Sequence, residues 1–150
     1  MDIQQIFEDA QNDPSLLSTL DINELLNSLE NKNNDYLVDK TFKDIHDDVF
    51  NIVNASMPTE KVGDICKKLA DYRYVDEIYE LHKGKHVRWI KDNKFTNGGI
   101  VVDIKFLDNG VHVLCMNNQR RLIQYKFDTA ITFQKLSVNE QLILMAYESL

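Results

Sequence analysis

The sequence has few of the features that mark secreted or membrane proteins. Its two cysteines, Cys66 and Cys115, lie far apart among apolar residues, which is typical of small buried side chains in a reducing compartment. No apolar run approaches the ~18–20 residues that a membrane span needs. The acidic N-terminus lacks the basic and apolar segments of a signal peptide. We therefore expect a soluble intracellular protein without a membrane partner, cytoplasmic or nuclear, or, if viral, located in the host cell or the virion.

Motifs that specify a reaction or a metal are also missing. There is no Gly-x-Ser-x-Gly, no phosphate-binding glycine loop and no Gly-x-Gly-x-x-Gly. His112 and Cys115 stand three apart in a predicted strand, so their side chains point to opposite faces and do not form a nucleophile–base pair. His82 and His86 would suit a metal only on a helix, and Gly84 interrupts them. We expect neither enzymatic activity nor a cofactor.

Charge is distributed unevenly along the 150 residues, whose net charge is -7. Residues 1–80 carry 18 Asp and Glu against 7 Lys and Arg, a balance of -11. Residues 81–127 carry 3 acids and 9 bases, a balance of +6, and residues 128–150 contribute -2. Such a difference indicates either an interaction surface or two parts of the chain that attract each other. Two solvated surfaces of opposite sign would give the same counts.

Apolar residues recur at helical spacing through the first half of the chain. The pattern predicts a helix near residues 3–10 and another after Asp21, which begins a sequence typical of a capping box. A longer helix is predicted over residues 42–53. A further one is predicted to start at the N-cap Thr59 and to continue, through Tyr72, as far as Tyr79. Residues 1–80 are thus predicted to form an acidic helical region.

After residue 83 the apolar period changes from about 3.6 residues to 2. Five segments alternate apolar and polar residues: 86–90, 100–106, 111–116, 121–127 and 131–134. They predict five antiparallel strands with a tight hairpin at Asn109-Gly110, closely enough spaced to curl into a small barrel over residues 81–136. In the second strand, one face is predicted to carry Ile100, Val102, Ile104 and Phe106. Residues 137–150 open with a capping box and are predicted to form a C-terminal helix, packed on the barrel or on the other helices.

The predicted fold class is therefore α+β, with acidic N-terminal helices, a five-stranded antiparallel barrel and a C-terminal helix. Seven residues of the first two strands resemble the small SH3-like barrels, which include Tudor, chromo-barrel and KOW-type modules: Gly84, Val87, Arg88, Trp89, Gly98, Gly99 and Val102. The resemblance covers residues 82–136. It implies a barrel that binds nucleic acid, methylated lysine, proline-rich peptides or neighbouring subunits. The overall composition is also similar to that of uncharacterised proteins of large DNA viruses.

The basic segment is the best candidate for an interaction surface. Lys and Arg contact phosphates, aromatic rings stack on unpaired bases, and three rings lie among these cations: Trp89, Phe95 and Tyr125. The predicted contact residues are Lys85, Arg88, Trp89, Lys91, Lys94, Lys105, Arg120, Arg121 and Lys126. Two functions follow. We favour a non-enzymatic protein-interaction or assembly protein that uses the barrel and a helical arm to bind an unidentified protein partner.

The alternative function is a nucleic-acid-binding module whose basic barrel face contacts the phosphates of DNA or RNA. The overall negative charge argues against it, because acidic helices repel a phosphate chain unless they face away from it. The same helices could instead cover the basic segment, so that the opposite charges attract each other within the protein.

Overall fold

The structure is a computed structural model that describes residues 32–149, with side chains from residue 35 onward. The described residues fall into two compact units. One comprises residues 32–45 together with 136–149, and the other is His46–Lys135. The predicted helices near residues 3–10 and after Asp21 lie outside the described residues. No helix of the described residues is long and apolar enough to cross a membrane.

The described part of the chain contains both helices and strands, which confirms the α+β class. The helices are α1 (Phe42–Ser56), α2 (Thr59–Lys68) and α3 (Val138–Glu148). The strands are β1 (Tyr72–Val75), β2 (His86–Lys91), β3 (Lys94–Phe95), β4 (Gly99–Leu107), β5 (Gly110–Met116), β6 (Leu122–Lys126) and β7 (Ile131–Lys135). Short 3-10 helices span Lys32–Leu37, Ile78–Glu80 and Phe127–Thr129.

All seven strands belong to one antiparallel sheet in the order β1-β7-β2-β4-β5-β6, with β3 paired to β2. The five predicted strands correspond to β2, β4, β5, β6 and β7, so the expected number is corrected to seven by the addition of β1 and β3. The sheet is not closed, because its two end strands, β1 and β6, are not paired with each other. The predicted hairpin at Asn109-Gly110 is confirmed, since it joins β4 to β5.

The prediction of a helix that continues to Tyr79 is wrong. Helix α2 ends at Lys68, and Tyr72–Val75 form β1, which pairs with β7. The segment Tyr-Arg-Tyr-Val is rich in the aromatic and β-branched residues that strands favour. Leu69 and Tyr72 both pack in the core that the helices form with the sheet, so the apolar residues keep a helical spacing although the chain has already left α2. Pairing with β7 decides between the two.

Within His46–Lys135, apolar side chains fill both faces of the central strands. On one face, helices α1 and α2 pack against β1, β2 and β7 through residues that include Val53, Ile65 and Phe133. On the other face, β2, β4, β5 and β6 share a second core that includes Trp89 and Val113. Trp89 and Ile90, neighbours in β2, belong to the second and the first core respectively, as the period of a strand requires. This arrangement leaves the side of β4, β5 and β6 that faces away from the second core without a covering layer from this unit.

The other unit is organised around α3, whose start confirms the predicted capping box. The Ser137 hydroxyl accepts a hydrogen bond from the Glu140 amide at 3.1 Å, and Glu140 Oε1 accepts one from the Ser137 amide at 2.9 Å. Such a cap contributes about 1 kcal/mol. Glu140 Oε2 also accepts a hydrogen bond from the Tyr36 hydroxyl at 2.7 Å. Ile45 and Ile143 pack together in the apolar core of this unit.

Candidate interaction surfaces

The nine predicted contact residues do not form one surface, and Trp89 is not on a surface at all. Its side chain is 7% exposed and stacks on the ring of Tyr125, with the centroids 4.0 Å apart and the planes 16° from parallel. The Tyr125 hydroxyl lies 2.9 Å from the hydroxyl of Thr132, which is also buried. Burial raises the pKa of Tyr125 well above its usual value. Both rings therefore belong to the core, and neither is available to stack on a base.

The most exposed apolar surface is the outer face of β4, β5 and β6, which points away from the second core. Ile100 in β4 pairs with Met116 in β5, and Met116 pairs with Leu122 in β6. Paired residues of antiparallel strands project on the same side, so these three side chains form one continuous row across the sheet. They are 49%, 40% and 58% exposed, respectively. We call them the apolar row.

A β-bulge in β4 determines which residues reach this face. Val101 pairs with Cys115, but Asp103 pairs with Leu114, so Val102 is an extra residue between them. Val101 is buried in the second core, while Val102 is exposed beside the apolar row. The prediction that one face carries residues 100, 102, 104 and 106 is therefore wrong, because the bulge shifts the alternation and turns Ile104 towards the core.

Basic residues stand on both sides of the apolar row along the strand direction. On one side, beyond the row formed by Asp103, Leu114 and Gln124, Lys105, His112 and Lys126 pair across the three strands in a parallel row on the same face. On the other side, Arg120 and Arg121 lie exposed in the turn that precedes Leu122 in β6. The outer face and this turn thus combine four of the predicted cations with an aliphatic centre.

The acidic group on the outer face is neutralised locally. Asp103 lies 3.2 Å from the Lys83 ammonium. The hydrogen bond from Lys83, followed by one from the Ile104 amide, holds the pKa of this carboxyl below its usual value. Asp103 therefore stays ionised and paired, and the bases on the two sides of the apolar row set the sign of the charge on this face.

A second surface is a groove of about 490 Å³ between α2 and the β2–β3 turn. Its floor consists of buried or half-buried apolar side chains: Met57, Ile65 and Phe95. Its rim consists of exposed polar side chains: Lys61, Asp64, Lys68, Asn93 and Lys94. We call it the lysine groove. Lys94 is a predicted contact residue, whereas Lys61 and Lys68 come from a helix that the sequence places in the acidic region.

Two more predicted cations lie beside the lysine groove. The Arg88 guanidinium stands 4.2 Å from the centroid of the Phe95 ring, and its Nε donates to the Thr96 carbonyl oxygen at 3.0 Å. Lys91 pairs with Lys94 across the β2–β3 hairpin and is exposed. The remaining predicted residue, Lys85, is half-buried and directly precedes β2. It therefore lies at the opposite end of that strand from Lys91.

The groups that could perform chemistry are separated from one another. Burial raises the pKa of the Cys115 thiol to about 12, so the thiolate needed of a nucleophile is scarce at neutral pH. His112 lies on the outer face, where its ring contacts Gln124 Nε2 and Asn109 Oδ1, each at 3.1 Å. Across residues 35–149, no group of three His, Cys, Asp or Glu side chains converges in a way that could hold a metal ion.

The signals for these surfaces were only partly visible in the sequence. Lys61, Ile65 and Lys68 are spaced so that they neighbour one another on α2, which indicates a mixed apolar and basic helix face. The apolar row could not be anticipated, because it depends on the bulge. Comparisons with protein-family models, with curated proteins and with solved structures find no match to this chain.

Proposed function

We propose that this protein is a non-enzymatic interaction protein that binds a protein partner through the outer face of β4, β5 and β6. The apolar row is the observation that carries the proposal. Solvated faces of antiparallel sheets usually present polar side chains, and contiguous exposed apolar groups mark interaction sites. Six of the nine exposed large apolar side chains in the described chain lie in these three strands. Five of these six belong to the outer face; the sixth, Phe106, pairs with Val111 and projects on the same side of the sheet as Ile104.

The charges around the apolar row favour an acidic partner. Bases flank the row along the strand direction: Lys105 and Lys126 on one side, Arg120 and Arg121 on the other. A second copy of this chain, docked face to face, would set bases against bases in either orientation, which is unfavourable. A segment with apolar side chains at its centre and Asp or Glu towards its ends would complement the face. Its charges would speed association and fix its orientation.

The strand order supports an SH3-like type for the sheet. Strands β2, β4, β5, β6 and β7 follow one another along the chain, and the last of them returns to pair with the first. This return brings Trp89 of β2 opposite Thr132 of β7, whose hydroxyl lies 2.9 Å from the hydroxyl of Tyr125 in β6. We infer that they form a small, partly open barrel of the SH3-like kind, with β1 as an added edge strand.

A nucleic-acid partner on the outer face is less well supported. Four cations there could contact phosphates, but the groups between them are aliphatic. Single-stranded bases stack on aromatic rings, and the predicted rings Trp89 and Tyr125 are buried. The face therefore offers the charge that nucleic acid needs without the stacking surface.

The test selects peptides from a random library displayed on phage, using the full-length chain as bait. We expect enrichment of sequences that combine Leu, Ile or Phe with Asp or Glu. The selected peptides should bind the double variant Ile100→Thr/Leu122→Thr about thirtyfold more weakly, because two half-exposed side chains that become buried contribute about 1 kcal/mol each. Threonine is β-branched, which strands favour, so these exposed changes should leave the fold intact.

The matched control replaces two exposed apolar residues elsewhere, Val38 and Tyr79, by threonine. We expect this control to bind the selected peptides as tightly as the unchanged protein does. Enrichment of basic peptides, or equal loss of binding in the control, would show that the apolar row is not the docking surface.

A further inference from the structure

The lysine groove brings together cationic and aromatic groups that the outer face keeps apart. Three of its eight lining residues are lysines and one is an aspartate, so the lining carries two positive charges in excess. Asp64 lies 3.2 Å from the Lys68 ammonium, one helical turn away. The excess positive charge therefore lies at Lys61 on α2 and Lys94 on β3. Because Lys61 and Lys94 line the groove from two different elements, they suit a ligand that places an anionic group within reach of both.

The floor of the lysine groove offers a flat apolar surface. Met57 and Ile65 are almost fully buried, so their exposed atoms form a fixed base for the groove. Phe95 is half-buried, with the Arg88 guanidinium 4.2 Å from its ring centroid. Arg88 is itself held by a hydrogen bond to the Thr96 carbonyl oxygen. A cation on an aromatic ring next to an apolar floor is an arrangement on which a planar, electron-rich group can stack.

The β2–β3 turn adds a side chain that can recognise such a ligand by hydrogen bonds. Asp92 and Asn93 form the turn with φ angles of 51° and 62°, a left-handed conformation that Asn and Asp tolerate better than most residues. Asn93 lines the groove, and its side-chain amide can donate and accept hydrogen bonds at the same time. The edges of nucleobases present paired donors and acceptors, which an amide matches.

We propose that the lysine groove binds a nucleotide, with its base on the floor formed by Met57, Ile65 and Phe95 and its phosphate between Lys61 and Lys94. A groove of about 490 Å³ is within the range of small-molecule sites. The nucleotide is either a free one or a unit of a single-stranded nucleic acid. A duplex does not fit, because its bases are stacked on one another and closed to the groove. The proposal is independent of protein binding at the outer face.

The experiment measures binding of the full-length chain to a short fluorescent single strand, as DNA and as RNA, by fluorescence anisotropy over a range of salt concentrations. The duplex of the same sequence and a polyglutamate of similar charge are the comparison ligands. We expect the single strand to bind more tightly than either. Unlabelled nucleoside monophosphate then identifies the source, since displacement of the strand by the monophosphate assigns a free nucleotide, and failure to displace it assigns a strand.

Two groove variants test the placement of the ligand. Lys61→Gln/Lys94→Gln should weaken binding about tenfold at low salt and reduce the slope of log K against log salt by about 0.7, the contribution of one phosphate contact on a single strand. Phe95→Leu keeps the apolar floor but removes the ring, and it should weaken binding about fivefold or more. The matched control, Lys105→Gln/Lys126→Gln, removes two charges from the outer face and should bind as the unchanged protein does.

Three results would overturn the proposal. The first is no binding of strand or monophosphate at low salt. The second is polyglutamate binding as tight as that of the single strand, which would mean that the groove recognises charge alone. The third is an equal or greater loss in the Lys105→Gln/Lys126→Gln control, which would move the nucleic-acid site to the outer face. The lysine variants change three exposed side chains and the half-buried Lys126, so a failure to fold does not obscure the comparison.

Discussion

The hydrogen bond between the Tyr125 and Thr132 hydroxyls gives a quantitative test of the core. Both side chains are buried, and their oxygens lie 2.9 Å apart. Replacing Tyr125 by Phe keeps the ring stacked on Trp89 but leaves the Thr132 hydroxyl without this partner. Replacing Thr132 by Val removes the other hydroxyl and keeps the β-branched shape. We expect each single variant to lose about 1–3 kcal/mol of unfolding free energy, since a buried polar group is left unsatisfied.

The double variant Tyr125→Phe/Thr132→Val should lose less than the sum of the two single losses. Neither polar group then remains buried without a partner, so we expect a coupling energy of about 1 kcal/mol. Urea unfolding measures it through the fluorescence of Trp89, the single tryptophan of the chain. Because Trp89 touches Tyr125, circular dichroism serves as a second probe. A loss of about 1.5 kcal/mol lowers the midpoint by about 0.5–1 M urea.

Additive losses would refute this reasoning. They would mean that each hydroxyl finds another partner when the first is removed, and that the 2.9 Å contact contributes nothing specific. A change in the slope of the unfolding free energy with urea would instead indicate a less compact folded state, and the cycle would then be repeated by circular dichroism alone.

Three further predictions concern a close backbone contact, a histidine and the two thiols. In thermal unfolding, Gly98→Ala should lower the free energy of unfolding by about 3 kcal/mol or more, because φ is 71° and a Cβ would lie 1.8 Å from a carbonyl oxygen of β2. Gly63→Ala, with open space around it in α2, should raise that free energy by about 0.5–1 kcal/mol. Burial first, and then nearby cations, lowers the pKa of His86 below 6.5, so the folded state binds this proton less readily than the unfolded one; unfolding free energy should fall as the pH drops through 6.5, and His86→Gln should flatten that dependence. Burial raises the pKa of Cys115 to about 12, so mass spectrometry after thiol alkylation of the folded protein should find Cys66 modified and Cys115 unmodified, and early modification of Cys115 would contradict its burial.

The sequence predicted those elements whose signals are local. The capping box at Ser137 and the tight turn at Asn109-Gly110 each require only a few neighbouring residues, and both are present. The alternating segments are strands for the same reason. The stripe ending at Tyr79 failed because β1 is stabilised by pairing with β7, a contact between residues about 60 positions apart in the chain. No local pattern contains that information.

The candidate surfaces were harder to predict because each depends on long-range geometry. The apolar row exists because one extra residue, Val102, shifts the alternation of β4. The lysine groove joins Lys61 and Lys94, which come from parts of the sequence with opposite charge balance. Trp89 illustrates the opposite error, since an aromatic residue among lysines suggested a stacking platform and is instead a core residue. Sequence proximity to cations says nothing about which face a strand residue occupies.

The charge imbalance follows the compact units more closely than the halves of the sequence. His46–Lys135 carries 14 Lys and Arg against 12 Asp and Glu, a balance of +2, and the rest of the chain carries 3 against 12, a balance of -9.

A polyanion that approaches this protein meets a net charge of -7, and the repulsion is screened only beyond about 8 Å at physiological salt. Non-specific attraction is thus weak for this protein, and two lysines in a groove do not supply the many phosphate contacts that dominate non-specific binding. Nucleic-acid binding at physiological salt would consequently have to come from base contacts on the groove floor, with a shallow salt dependence close to that of one phosphate. A steep dependence of binding on salt would mean that many scattered cations contact the nucleic acid. The lysine groove would then not be the specific binding site.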